Sequence, residues 1–104
     1  MSNQSTIDYS NPSLTALSKE YGMQLRELSR EIGFRKEYQI SPYATSTNEY
    51  GLSVIRADRH GNVTYDGELM HGTLEQTRQA ISLLLQLGHI LDTVRAMKGQ
   101  DDAR

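Results

Sequence analysis

The 104-residue chain contains no cysteine and no tryptophan. Disulfides and thiolate zinc sites are therefore excluded, and the absence of cysteine favours a reducing compartment. No long apolar run is present either. Residues 81–87 form the longest one, which is interrupted by Ser82 and Gln86, whereas a membrane-spanning helix needs about 20 apolar residues. Residues 1–13 are polar and lack the apolar segment of a secretory signal. We expect a soluble, cytoplasmic protein without a membrane partner.

An excess of positive charge is also missing. The chain has 11 Lys and Arg against 13 Asp and Glu, for a formal net charge of −2. Proteins that bind nucleic acid usually show a basic excess, because phosphate contacts dominate their affinity. The overall balance therefore disfavours nucleic acid as the partner. The length fits one domain.

Motifs for chemistry are absent as well. No histidine pair has metal-binding spacing, no G-x-S-x-G segment surrounds a serine, and no glycine-rich phosphate loop occurs. The side chains considered for chemistry are His60, His71, His89, Asp58, Asp66 and Glu68. Solvated histidines and turn-forming acids explain these residues more simply. We expect no enzymatic activity, no cofactor and no bound metal.

The first half of the chain predicts a flexible arm, a helix and a strand. Residues 1–11 are rich in Ser and Asn and form the arm; Asn11 or Ser10 can cap a helix that Pro12 begins. An apolar stripe follows at helical spacing: Leu14, Leu17, Tyr21, Leu25, Leu28 and Ile32. Gly33 is expected to end this helix. Residues 34–41 alternate as a half-buried strand does, and Pro42 is expected to stop it.

The second half predicts two more strands and a long helix. Residues 50–58 form the second strand, and Gly61 serves a tight reversal. The third strand begins with residues 63–65 and is interrupted or ends around residues 66–67. Residues 73–76 fit a capping box, Gly99 is a plausible helix end, and residues 100–104 form a frayed tail. The fold class is α+β, in the order α-β-β-β-α, with one domain over residues 12–99. Both helices are expected on one face of a three-stranded antiparallel meander.

The last helix has a second apolar face. Its members recur at spacings of 4, 3, 4 and 3, as in a coiled-coil seam: Leu83, Leu87, Ile90, Val94 and Met97. A helix that packs on one side needs a single stripe. This face therefore predicts an interface, either with a second copy in a homodimer or with another protein. The alternative is that the first helix of the same chain covers it.

Two further groups of residues are candidates for binding. The basic side chains that could contact phosphate are Arg26, Arg30, Arg35 and Lys36. Glutamates on the neighbouring helix flank make a solvated mixed-charge face the simpler interpretation. The residues that could form a binding surface around the sheet are Tyr43, Tyr50, Arg56, Arg59 and His60. Packed tyrosines are the alternative there.

The order helix, three strands, helix over residues 12–88 resembles the double-stranded-RNA-binding domain in topology. That resemblance implies RNA binding through a basic cluster at the start of the last helix. The corresponding residues 72–78 hold one basic residue, Arg78, and one acid, Glu75, so no phosphate contact is carried over. We expect a non-catalytic module that binds a protein, such as an inhibitor or adaptor of phage or plasmid accessory type. The alternative is a nucleic-acid-binding regulator.

Overall fold

A computed structural model describes residues 7–102, with side chains described through Lys98. Its elements are α1 (Pro12–Glu31), β1 (Tyr38–Ala44), β2 (Tyr50–Ala57), β3 (Val63–Gly72) and α2 (Leu74–Asp102). The strands form one antiparallel sheet in the order β1-β2-β3. Both helices pack on the same face of this sheet, in a core of Leu17, Leu25, Leu28, Ile40, Leu52 and Ile81. The predicted α+β class and element order are confirmed.

Helix α1 begins and ends where its sequence signals lie. The Asn11 side chain accepts hydrogen bonds from the backbone N–H groups of Ser13, at 2.9 Å, and Leu14, at 3.1 Å. These bonds satisfy two donors that the first helical turn leaves free. At the other end Gly33 has φ of +96°, a conformation that favours glycine. The Ser29 hydroxyl donates to Leu25 O at 2.7 Å and accepts from Ile40 N at 3.0 Å, which ties α1 to β1.

Strand β1 lies later in the chain than predicted. The Arg30 guanidinium donates to the backbone oxygens of Lys36, at 2.7 Å, and Tyr38, at 2.9 Å, and this holds the segment before Tyr38 in a turn. The strand then continues through Pro42, which pairs with Leu52. Proline has no N–H to donate, but an edge strand such as β1 tolerates it. The prediction that Pro42 stops the strand is therefore wrong.

Strand β3 is longer than predicted. It runs through Asp66 and Gly67 to Gly72, so the strand does not end at these residues. The alternative prediction, an interruption there, is confirmed, because a register shift lies at Asp66. Two register shifts interrupt its pairing with β2, and they leave Leu69 and Asp66 without partners in the register. Each shift is a β-bulge, in which one extra residue bends the strand and locally increases its twist.

Helix α2 starts with the predicted capping box and ends later than predicted. Gln76 N donates to Thr73 Oγ1 at 3.1 Å, and Thr73 N donates to Gln76 Oε1 at 2.9 Å. The helix continues past Gly99 to Asp102, so the predicted end at Gly99 is wrong. Gly88 is buried against α1, since a Cβ there would lie 2.7 Å from Leu28 Cδ1.

The segment before α1 is attached to the sheet. Ile7 forms an antiparallel bridge with Thr45, and Asp8 N donates to Ala44 O at 2.8 Å. Residues 1–6 of the predicted arm and residues 103–104 of the predicted tail lie outside the described residues. Within the described part of the chain, no helix has both the length and the hydropathy that crossing a membrane requires.

Candidate functional site

The second apolar face of α2 is exposed. Five side chains, which we call the α2 stripe, keep between 47% and 65% of their surface in solvent: Leu83, Leu87, Ile90, Val94 and Met97. Helix α1 does not cover them, because it meets α2 on another side, through Leu28 at Gly88 and through Glu31 at Arg95. The core side of α2 instead carries Thr77 and Ile81, which are fully buried.

Helix α1 also contacts α2 at its C-terminal end. Arg95 donates to a carboxylate oxygen and to the backbone oxygen of Glu31, the last residue of α1. The pKa of Glu31 is raised, first by a hydrogen bond shared with Asp92, then by burial and by the Asp92 charge; Arg95 acts in the opposite direction. Residues 92–98 of α2 are all exposed, so this part of the helix has room for a partner.

The four basic candidates do not form a free cationic patch. Arg30 is engaged by the backbone at the end of α1, as described above. Arg35 forms an ion pair with Glu37 at 2.7 Å. Arg26 and Lys36 are exposed. No observation favours the nucleic-acid interpretation, which stays a prediction.

The structure does not bring the five residues of the predicted sheet surface together. Tyr43 lies on the outer face of the sheet, which points away from both helices, and is 6% exposed. Tyr50 is buried on the opposite face, where Asn11 Nδ2 donates to its hydroxyl at 3.3 Å. The other three, Arg56, Arg59 and His60, are exposed near the β2–β3 turn.

That turn also explains one of the candidate acids. Asp58 Oδ1 accepts hydrogen bonds from the backbone N–H groups of His60, at 2.8 Å, and Asn62, at 3.0 Å. The bonds from Asn62 and His60 lower the pKa of Asp58, with the backbone N–H of Asn62 as the largest cause. Its role as a turn-forming residue is confirmed.

The outer face of the sheet carries an open cleft of about 990 Å³. We call it the sheet cleft. Among the residues that line it are Tyr43, Glu49, Ser53, Tyr65, Glu68 and His71. Their elements are β1, β2, β3 and the loop between β1 and β2, so the cleft extends across the whole sheet. Of this set, the sequence predicted a binding role for Tyr43, and Glu68 and His71 were candidates for chemistry.

The two bulges in β3 determine which side chains reach the sheet cleft. Side chains alternate along a regular strand, so Glu68 would share the core face with Met70. The extra residue Leu69 instead moves Glu68 to the outer face, opposite Ser53. In the same way the extra residue Asp66 keeps Tyr65 on the outer face with Glu68. Without the bulges these two side chains would not line one cleft.

Tyr43 crosses the sheet to reach Glu68. Its ring lies over Gly51, where a Cβ would come within 2.6 Å of the phenol oxygen. The Tyr43 hydroxyl donates to Glu68 Oε2. Burial raises the pKa of Tyr43, and so do this hydrogen bond and the charges of Glu68 and Glu49. The phenol is therefore neutral and acts as a donor.

Ser53 is the polar group of the cleft that lacks a partner. It is 3% exposed, and its Oγ has no hydrogen-bond partner among the described residues. A buried hydroxyl without a hydrogen bond destabilises a fold by about 1–3 kcal/mol. Elsewhere in the cleft, Glu49 Oε1 and His71 Nε2 are 4.0 Å apart. Burial, and then a hydrogen bond with Tyr9, raises the pKa of Tyr65.

The arrangement of the cleft suits binding. Three of its lining side chains are acids, Glu49, Asp66 and Glu68, and none is Lys or Arg. Within residues 7–102, no three His, Asp or Glu side chains are placed to hold a metal ion. Comparison of the chain with protein-family models, curated proteins and solved structures found no match. The resemblance to the double-stranded-RNA-binding domain therefore rests on topology alone.

Proposed function

We propose that the protein is a non-catalytic protein-binding module that associates through the α2 stripe, and that its first partner is a second copy of the same chain. The observation that carries the proposal is the exposure of five apolar side chains in one row on one helix. The proposal includes a cytoplasmic location and a role as an inhibitor or adaptor of phage or plasmid accessory type. The small size and the absence of sequence motifs support that role.

The exposure of the stripe disfavours the isolated monomer. Full burial of a large apolar side chain is worth about 1.5–3 kcal/mol. Since each stripe residue is about half exposed, each contributes on the order of 1 kcal/mol when a partner covers it. Rows of exposed apolar side chains of this kind mark interaction surfaces.

The spacing of the stripe favours a second copy as the occupant. Steps of 4, 3, 4 and 3 match the heptad pattern in which two helices interlock through the same positions. The stripe is therefore complementary to itself. Gln86 and Thr93 flank it on one side and Leu84 and Leu91 on the other, so like charges do not oppose pairing along this length.

The length of α2 also supports this occupant. Its 29 residues span about 43 Å at 1.5 Å per residue. The stripe occupies the middle and the C-terminal part of that length, and its last residue, Met97, lies beyond the contact between Arg95 and Glu31. Tyr21 of α1 lines one groove with Ile90, so a partner helix along the stripe would pass beside α1 at this point.

Sedimentation of the full chain tests the proposal. We expect a dimer at high micromolar concentration for the natural protein. Leu87→Glu combined with Ile90→Glu should give a folded monomer, because both side chains are exposed within one copy. Four altered positions per dimer, each worth about 1 kcal/mol, should raise the dissociation constant about 1,000-fold.

The matched control adds the same two charges to α2 outside the stripe. Ser82 and His89 are exposed and lie about 110° around the helix from the centre of the stripe. Ser82→Glu combined with His89→Glu should therefore leave the dimer intact. If the natural protein sediments as a monomer at high micromolar concentration, self-association through α2 is wrong. If the stripe variant unfolds, the stripe belongs to an intramolecular core.

A further inference from the structure

The sheet cleft has the composition of a site for an organic cation. Its acidic lining residues are Glu49, Asp66 and Glu68, and neither Lys nor Arg lines it. Two tyrosines, Tyr43 and Tyr65, also line it. Carboxylates attract a cation, and the faces of aromatic rings attract it further when water is partly excluded.

A second observation points to a ligand independently of the acids. Ser53 lies on the floor of the cleft, 3% exposed, and its hydroxyl oxygen has no partner among the described residues. Nearly all buried polar groups in proteins are hydrogen-bonded, and an exception calls for a specific cause. The oxygen has almost no surface in solvent, so a ligand N–H would satisfy this group once the side chains that cover it move aside.

Ser53 and Glu68 are register partners on neighbouring strands, so their side chains are neighbours on the outer face of the sheet. Ser53 is buried there and Glu68 is exposed. A planar group with several N–H donors can bond both at once. Guanidinium has five donors in a fixed plane, stacks on aromatic rings and is more weakly hydrated than an ammonium group. It therefore fits this arrangement of acceptors and rings better than a lysine ammonium does.

We propose that the sheet cleft binds the guanidinium group of an arginine side chain presented by a partner protein, with Glu68 and Ser53 as acceptors and Tyr65 as the stacking surface. The cleft lies on the face opposite the helices, so this inference does not depend on association through α2. The two proposals are tested by different measurements, and either can fail alone.

The experiment titrates the full-length protein with N-acetyl-arginine amide and follows binding by calorimetry and by NMR shifts of the residues in the cleft. We expect saturable binding with a dissociation constant on the order of 1 mM, as for a small fragment. The citrulline analogue is nearly isosteric but uncharged, and it should not saturate. If both compounds bind equally, or neither binds, the proposal is overturned.

Two variants locate the site. Ser53→Ala removes an unsatisfied hydroxyl, so its stability should equal or exceed that of the natural protein, while arginine binding weakens several-fold. Glu68→Gln should weaken binding at least tenfold. The matched control, Glu27→Gln, changes an exposed acid on α1 and should leave binding unchanged. Unaltered binding in both cleft variants would place the guanidinium elsewhere and overturn the proposal.

Free arginine separates the two sources of the guanidinium group. An arginine within a protein carries no charged α-amino or α-carboxyl group, and N-acetyl-arginine amide reproduces this. We expect the capped compound to bind at least as tightly as free arginine. Selective binding of free arginine would identify the cleft as a site for a small metabolite and overturn docking of a protein side chain.

Discussion

Gly51→Ala should be one of the most damaging single-methyl substitutions in this protein. Gly51 lies in β2 at the point where the Tyr43 ring crosses the sheet. A Cβ at this position would lie 2.6 Å from the Tyr43 phenol oxygen and 2.7 Å from Cζ, and it would also meet Met70 O. Real Cβ atoms do not tolerate such contacts, so either the ring or strand β3 must move.

The magnitude depends on which of them can move. Overpacking by one methyl group costs about 1–3 kcal/mol. The Met70 oxygen is a backbone atom of β3, and Met70 pairs with Leu52 of β2. A shift of this atom would weaken the hydrogen bonds between β2 and β3. Displacing the ring instead breaks the hydrogen bond to Glu68. We therefore expect a loss of about 2–3 kcal/mol in the free energy of unfolding.

Urea unfolding followed by circular dichroism measures the change, with all variants at one protein concentration because association contributes to stability. Gly22→Ala is the matched control. No atom lies within 4 Å of a Cβ at this position in α1, so the same methyl group should stabilise the helix by about 1 kcal/mol. Opposite signs for the two variants are the expected result. If Gly51→Ala is as stable as the natural protein, the described path of Tyr43 across Gly51 is wrong.

Two further predictions concern the β2–β3 turn and the end of α1. Gly61→Val should destabilise the protein by about 1–2 kcal/mol, because φ of +83° at Gly61 disfavours a β-branched residue. Gly67→Val, where a Cβ has free space and φ is not positive, should be close to neutral in the same urea assay; equal losses would contradict the described turn. Asp92→Asn should lower the pKa of Glu31 in a carbon-13 NMR titration, since Asp92 is the largest cause of the raised value. A raised carboxyl pKa stabilises the fold at low pH, and this stabilisation is lost as the pH rises through the pKa of the folded state. Asp92→Asn should therefore lose less stability than the natural protein does over this pH range. An unchanged pKa of Glu31 would contradict the contact between Glu31 and Asp92.

Much of the fold could be predicted from the sequence because its signals are local. Asn11 and Thr73 cap their helices as the sequence indicates, and Gly33 and Gly61 have the positive φ that their turns require. The error at Pro42 and the choice left open around Asp66 have a common cause. Proline in an edge strand and a β-bulge both depend on the neighbouring strand, and the local pattern does not contain that information.

One of the two candidate sites could be predicted from the sequence and the other could not. The α2 stripe follows from helical periodicity, and the structure adds that α1 leaves it exposed. The sheet cleft depends on two extra residues in β3, which place Glu68 and Tyr65 on one face although simple alternation would place them on opposite faces. A strand of alternating side chains cannot show this. The nearest signal was the prediction of an interruption around residues 66–67, where one of the bulges lies.

The two proposed surfaces lie on opposite sides of the sheet, and this has a consequence for assembly. Helix α2 packs on the core face, whereas the sheet cleft opens on the outer face. Pairing through the α2 stripe therefore leaves the cleft of each copy open. A dimer would present two clefts at a separation set by the paired helices, so a partner with two suitably spaced arginines could engage both. The second contact would then be intramolecular, and two weak sites could produce one tight complex. On this basis the stripe variant, Leu87→Glu with Ile90→Glu, should bind a single arginine as tightly as the natural protein does. It should lose the additional affinity that the dimer has for a partner with two arginines.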